Sequence, residues 1–280
     1  TLKELADLAG VTSSVVKGLA AQGAVVEIDT PRDAPFLPLD PARPGKPLTD
    51  DQQAAADALR LAVRSGRYGT TLLKGVTGSG KTEVYLEAVA DCLRAGRQAL
   101  VLLPEIALTS EFLHRVEARF GAKPAEWHSG VTMTERRRAW RMIGQGEAQL
   151  IVGARSALFL PFRDLGLIVV DEEHDSSYKQ EEGALYNARD MTVLRASLNS
   201  AQVVLASATP SLESWANAEA GKYTRLDLTA RFGAAVLPDA RHRHAGRGFA
   251  GAGVDFTHPT GRGARAAGTR RAGAVVSQPS

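Results

Sequence analysis

The run GVTGSGKT at positions 75–82 constrains this chain more than any other feature. It fits the pattern G-x-x-x-x-G-K-[ST], follows an apolar strand-like run at 70–73 and opens a helical run at 82–95. In that context the pattern builds a phosphate-binding loop. Gly75, Gly78 and Gly80 let the backbone curl until its N–H groups converge on phosphate oxygens, and the helix start adds a favourable dipole. Val76, Thr77 and Ser79 complete the loop. Lys81 is expected on the β- and γ-phosphates, and the Thr82 hydroxyl on Mg²⁺. ATP and Mg²⁺ are thus the expected ligands.

A phosphate loop needs a sheet to carry it. Apolar runs at 70–73, 99–103, 149–152, 165–170 and 202–206 alternate with helical patterns at 82–95, 106–119 and 134–144. Near-continuous apolar strands separated by helices predict an α/β fold: a parallel sheet covered by helices on both faces.

The run LIVVDEEH at 167–174 delivers Asp171 to the carboxyl end of a buried strand, where open α/β sheets bind ligands. Asp171 is expected to hold Mg²⁺ beside Thr82, and Glu172 to polarise the attacking water. Lys81, Asp171 and Glu172 form the catalytic set. His174, Ser207 and Thr209 are read as coupling residues, the last two from the Ser-Ala-Thr that follows the strand at 203–206. Gln52, in LTDDQ at 48–52, has an amide suited to reading adenine. The alternative is a helix capped at Thr49 with Gln52 on its surface.

The net charge of +3 suggests nucleic acid, but its distribution does not. Residues 241–280 hold seven arginines and one acid, leaving 27 basic and 30 acidic side chains in residues 1–240. A claim of DNA binding must therefore rest on motifs rather than net charge. Cys92 is the one cysteine, which excludes a disulfide framework and a four-cysteine zinc site, and it reads as a small buried side chain. No apolar run reaches the ~20 residues of a membrane span, and a cytoplasmic location is expected. The chain opens on Thr1 and is read as part of a longer protein.

Four segments are expected. Residues 1–29 read as a partial winged helix-turn-helix, with a strand at 24–28 and no first helix. Residues 30–47, with six prolines, read as an extended linker. Residues 48–238 form the α/β domain. Residues 239–280, rich in Gly, Ala and Arg, read as disordered or as coding sequence out of frame.

Together the motifs resemble the primosomal protein N′ family, superfamily 2 DNA helicases of the DEEH type. The matching runs are GVTGSGKTEVY at 75–85, LLPEIALT at 102–109, WHSG at 127–130, GARSALFLPF at 153–162, DEEHDSSYKQEE at 171–182, YNARD at 186–190 and SATPSLESW at 207–215. The likeness extends over about residues 1–238. It implies a RecA-like lobe and a 3′→5′ DNA helicase of replication restart, expected as a monomer in the bacterial cytoplasm, associated with the nucleoid. Its implied partners are single-stranded and forked DNA, primosome proteins and single-strand-binding protein. By position, Thr109, Arg155 and Ser156 fall in motifs that grip a DNA strand, although Arg155 also reads as a structural helix cap. Tyr178, Lys179 and Tyr186 fall in an aromatic-rich loop that senses single-stranded DNA, or else in a packed surface loop.

The departures matter as well. The family holds two zinc ions on eight cysteines, and this chain has one cysteine. The family's second lobe carries an arginine finger worth about 10³–10⁵ in rate, and its pattern does not follow Pro238. These 280 residues are therefore expected to bind ATP weakly and hydrolyse it slowly. A non-catalytic DNA- or primosome-binding module, and another superfamily 2 translocase, are the alternatives.

Overall fold

The computed structural model describes residues 2–26 and 34–229. The chain begins with two short helices, α1 (Leu2–Ala9) and α2 (Ser13–Ala21). The strand expected at 24–28 is not formed at 24–26, and 27–28 lie outside the described residues. Among the described residues this unit is a helix pair, and the rest of the expected winged part lies outside them. The expected tail at 239–280 also lies outside them.

After the Pro-rich stretch come α3 (Asp50–Arg64), β1 (Gly69–Gly75), α4 (Lys81–Arg94), β2 (Gln98–Leu102), α5 (Ser110–Phe120), β3 (Ala125–Trp127) and α6 (Met133–Gln145). Next are β4 (Leu150–Gly153), β5 (Leu165–Asp171), β6 (Lys179–Gln180), β7 (Tyr186–Asn187) and α7 (Ala188–Asn199). The series closes with β8 (Gln202–Ser207), α8 (Leu212–Glu219) and β9 (Thr224–Leu228). Seven strands form one sheet in the order β3-β4-β2-β5-β8-β1-β9, every pair parallel, and β6 and β7 form a small antiparallel pair. This is the RecA-like α/β fold that the resemblance implied.

The apolar strands are continuous because alternate residues serve two cores. Leu73, Val101, Val169 and Val204 face one core with Leu59 of α3, Val84 and Val89 of α4 and Phe120 of α5. Leu72, Leu100, Ile168 and Val203 face the other with Met142 and Ile143 of α6 and Ala196 of α7. Charged groups fasten the first layer: Glu87 of α4 takes Arg60 and Arg119, and Asp91 takes Arg64 and Arg94.

The Pro-rich segment is extended, as expected, but it is also docked. Arg138 Nη2 donates to Pro35 O (3.1 Å), Arg94 Nη2 to Pro41 O (2.5 Å) and Arg119 Nη1 to Arg43 O (2.5 Å). The Asp40 N–H donates to Phe120 O at 2.8 Å. The strap runs on to Lys46, which donates to Glu83 Oε1 (3.0 Å) on the first turn of α4.

Candidate nucleotide-binding site

Because all seven strands run one way, the loops leaving their carboxyl ends share one edge of the sheet. In spatial order they follow β3 (128–130), β4 (153–156), β2 (103–109), β5 (171–174), β8 (207–209) and β1 (76–80). The phosphate loop, the DEEH turn, Ser207–Thr209 and the loops of the matching runs at 102–109, 127–130 and 153–156 therefore lie on this edge.

The loop after β1 turns through Gly78 at φ +80° and Gly80 at φ +82°, a region that strains any side chain but glycine's. Gly80 also has no room for a Cβ, which would collide with the Gln52 amide. Gln52 is buried beneath the loop: its Oε1 accepts the Thr49 N–H at 2.9 Å and its Nε2 donates to Ser79 O at 2.9 Å. Thr49 does cap α3, in a reciprocal capping box with Gln52. The surface position weighed for Gln52 is thus incorrect, and both its amide groups are engaged within the protein. Lys81 Nζ donates to Gly75 O at 2.8 Å.

A cavity of about 260 Å³ opens at this loop, lined by Thr77, Gly78, Ser79, Gly80, Lys81 and Thr82 together with Asp171 and Glu172 across the β8 gap. Glu83, Lys46 and Arg115 complete its wall. Arg115 Nε lies 3.8 Å from Glu83 Oε1, so Glu83 faces two cations there. Sequence reasoning missed both: Lys46 comes from the strap and Arg115 from α5, and neither stands in a recognisable pattern.

Asp171 is buried at the end of β5, and burial pushes its carboxyl above the usual range. The Tyr85 hydroxyl opposes that shift by donating to Asp171 Oδ2 at 2.9 Å, and the Glu172 N–H donates to Oδ1 at 3.0 Å. Burial holds the Tyr85 phenol well above its ordinary pKa, so it remains a donor. Glu172 adopts φ +47°, a conformation costing roughly 1–2 kcal/mol for a side-chain-bearing residue. The turn leaves the Glu172 carboxylate 39% exposed beside the cavity while Glu173 points back into the protein. Among the described residues no three acidic, His or Cys side chains cluster to cage a metal. Mg²⁺ does not need such a cage, because it binds through one or two protein oxygens plus phosphates and water. Thr82 and Asp171, on the wall of the same cavity, fit that requirement.

The coupling residues are in contact. His174 Nδ1 lies 2.8 Å from Ser207 Oγ and 3.5 Å from Glu172 Oε2, and Ser207 Oγ accepts the Thr209 N–H at 3.0 Å. Glu173 was given no role from sequence, yet it ties this turn to α8. Its carboxylate accepts from Ser211 N (2.7 Å), Ser211 Oγ (2.9 Å) and Ser214 Oγ (2.9 Å), with Arg189 Nη1 at 3.5 Å.

The residues assigned to DNA divide. Tyr178 is a correction: it is 1% exposed, and its hydroxyl lies 2.7 Å from Asp171 O and 3.0 Å from Leu102 O. A ring buried between the ends of β2 and β5 cannot stack on a base. Arg155 Nη1 donates to Ser177 O (3.0 Å) and Lys179 O (2.7 Å), so its contacts are those of a structural arginine. Thr109 caps α5, accepting from the Phe112 N–H at 3.3 Å, while Ser156 is exposed. Lys179 is exposed and pairs with Glu181 at 3.1 Å, and Tyr186 packs edge-on to Phe159 at 5.2 Å.

Comparison with known proteins agrees with this geometry. The chain is similar to Replication restart protein PriA of Bacillus subtilis (strain 168), at 43% identity over 242 residues, covering 84% of this chain and 30% of that protein. It is 52% identical over 192 residues to PriA of Rickettsia conorii (strain ATCC VR-613 / Malish 7), covering 69% and 29%, and 41% identical over 238 residues to PriA of Chlamydia pneumoniae, covering 84% and 32%. The chain thus spans about 30% of the length of these curated relatives. Among solved structures, RecG bound to a three-way DNA junction matches at TM-score 0.50 and 24% identity over 71% of this chain and 25% of that one, a likeness of fold alone. The model of the DEAD/DEAH box helicase family matches residues 49–218, a span that holds the loop after β1, the DEEH turn and Ser207–Thr209 alike, and the chain belongs to that family.

Proposed function

We propose that this chain supplies the ATP-binding lobe of a bacterial DNA helicase of replication restart. The reading is carried by one observation: the phosphate loop and the Asp171–Glu172 pair line the same cavity, and His174 joins that pair to Ser207. In it, the N–H groups of residues 76–82 cradle the phosphates, and Lys81 turns from Gly75 O to the β- and γ-oxygens. Thr82 and Asp171 hold Mg²⁺, whose charge offsets that of the phosphate oxygens when it is bound. Glu172 orients the attacking water and takes its proton. Gln52 braces the loop at Ser79, and only the second hydrogen on its Nε2 and the second lone pair on its Oε1 are left for adenine. His174, Ser207 and Thr209 pass the state of the nucleotide to the DNA side. There Thr109, Ser156, Lys179 and Tyr186 meet the strand, and Arg155 shapes their loop.

The strand is tracked 3′→5′, and forked DNA is the substrate. Primosome and single-strand-binding proteins are the partners, in the cytoplasm at the nucleoid. Fast turnover further requires an arginine from a second lobe, worth about 10³–10⁵ in related enzymes. Steady-state ATP hydrolysis tests the reading, with and without single-stranded DNA, beside Lys81→Ala and Glu172→Gln. The lobe by itself should bind a fluorescent ATP analogue in a Lys81-dependent way and turn over slowly. DNA-stimulated turnover that survives Glu172→Gln would refute the assignment. Binding indifferent to Lys81→Ala would remove its basis.

A further inference from the structure

Helix α6 starts where the loop after edge strand β3 ends. It carries four arginines and one glutamate in thirteen residues, within a stretch of chain, residues 1–240, whose acids outnumber its bases. The glutamate, Glu135, is engaged at the helix start, where its carboxylate accepts from Thr132 Oγ1 at 2.7 Å. Ala139, Met142 and Ile143 face the core. On the opposite face Met133, Arg137, Trp140 and Arg141 stand at i, i+4, i+7 and i+8, one stripe of the helix. Trp140 is 51% exposed, and Arg137 makes no hydrogen bond or ion pair among the described residues. Among the described residues the ring contact of Trp140 is with Trp127, at 6.2 Å and an interplanar angle of 42°. Arg136 supports Trp127 in turn, over its ring at 5.8 Å and donating to His128 O at 2.7 Å. Packing alone does not require half an indole in water between two arginines. The helix leaves the loop at 128–130, which follows the edge strand of the sheet.

We propose that the outer face of α6 is a single-stranded DNA-binding surface, with a base stacked on Trp140 and phosphates held by Arg137 and Arg141. This rests on the DNA-helicase reading above and extends its DNA path beyond the family motifs. A single strand is the ligand because only an unpaired base can lie on the indole, while the arginines follow its backbone. Trp, Arg and Met are also frequent at protein contacts, and that occupant is an outcome of the test.

The test is anisotropy of a fluorescein-labelled oligothymidylate titrated with the full chain across a salt series. The chains compared are wild type, Trp140→Ala, Trp140→Phe, Arg137→Ala and the Arg137→Ala/Arg141→Ala pair. Binding of a fluorescent ATP analogue serves as the check of an intact lobe. Loss of one stacked base should weaken binding roughly 5- to 150-fold in Trp140→Ala, and Trp140→Phe should recover most of it. The arginine pair should flatten the slope of log K against log salt by about 1.4, at about 0.7 per phosphate. Arg137→Ala removes an exposed side chain with no hydrogen bond or ion pair among the described residues, so the test stands even if a tryptophan variant misfolds. DNA binding by wild type that is unchanged in every variant overturns the proposal and leaves the face to a protein partner. No oligonucleotide binding by wild type overturns the DNA reading itself.

Discussion

Glu172 and Glu173 are neighbours with opposite surroundings, and replacing each in turn separates chemistry from stability. The Glu173 side chain is fully buried and accepts three hydrogen bonds, with Arg189 beside it. Glu173→Ala leaves the Ser211 N–H and part of the Arg189 guanidinium without their acceptor. Bonds to a charged group contribute about 1.5–3 kcal/mol each, but they are not additive. Breaking a buried pair by removing one partner costs about 3–5 kcal/mol. At about 2–4 °C per kcal/mol for a domain of this size, the melting temperature should fall by roughly 6–20 °C. Glu173→Gln should fall between, because the serine hydroxyls can turn to accept from the new amide. Glu172 is 39% exposed and its nearest polar partner is His174 at 3.5 Å, so Glu172→Gln should shift stability by less than about 0.5 kcal/mol. Hydrolysis should invert the ranking: Glu172→Gln loses it, and Glu173→Gln retains it wherever the lobe is folded. Calorimetry at pH 7 alongside an ATPase assay reads both. A Glu173→Ala chain melting within about 2 °C of wild type would show that α8 is not anchored as described.

Three further outcomes follow from the same contacts. Gly78 faces open space, so Gly78→Ala should cost only its backbone strain, about 1–2 kcal/mol. Gly80→Ala must also displace Gln52 from Ser79, and its affinity for a fluorescent ATP analogue should be lower by a further factor of about ten or more; equal affinities would refute Gln52 as a brace. Tyr178→Phe should lower stability by about 1–2 kcal/mol in urea titrations and leave oligonucleotide affinity unchanged, whereas the reverse pattern would return Tyr178 to the DNA. Burial pushes the Cys92 thiol up to about 12, so at pH 8 a disulfide reagent should label it only at the rate of unfolding, and rapid labelling without denaturant would contradict the packing.

What was legible in the sequence is what local chemistry writes there. The phosphate loop needs glycines at fixed positions, and the two-sided strands need unbroken apolar runs, so both could be read directly. β3, three residues long, and β9, an edge strand with the polar sequence TRLDL, lack such runs and went unseen. Tyr178 misled because an aromatic in a polar loop reads as exposed. Its burial depends on the carbonyl of Leu102, 76 residues away. The burial of Gln52 was not legible for a related reason, since its partner Ser79 O lies 27 residues on. The prolines of the strap did announce an extended chain. Its docking, however, uses main-chain carbonyls of Pro35, Pro41 and Arg43, and a carbonyl acceptor has no residue signature.

The turn after β5 is fastened from both sides, and this limits how it can signal. On one side Glu173 N donates to Ala206 O, His174 meets Ser207, and the Glu173 carboxylate holds the start of α8. On the other, the Tyr178 hydroxyl reaches the last carbonyls of β2 and β5, and Arg155 from the β4 side holds the carbonyls of Ser177 and Lys179. Residues 171–179 therefore bridge the strands that bear the nucleotide cavity and those whose loops face outward along the same edge. A packed, hydrogen-bonded bridge does not deform continuously; it moves as a unit between discrete arrangements. Glu172 stands at its strained end, at φ +47°, and under the proposed function this is the end that faces the γ-phosphate. On that reading, relief or reinforcement of the strain would be felt at Ser207 through His174 and at the β2 and β4 loops through Tyr178 and Arg155. The same contacts that remove Tyr178 and Arg155 from the list of DNA ligands would, under the proposed function, make them part of the link between the nucleotide cavity and that edge.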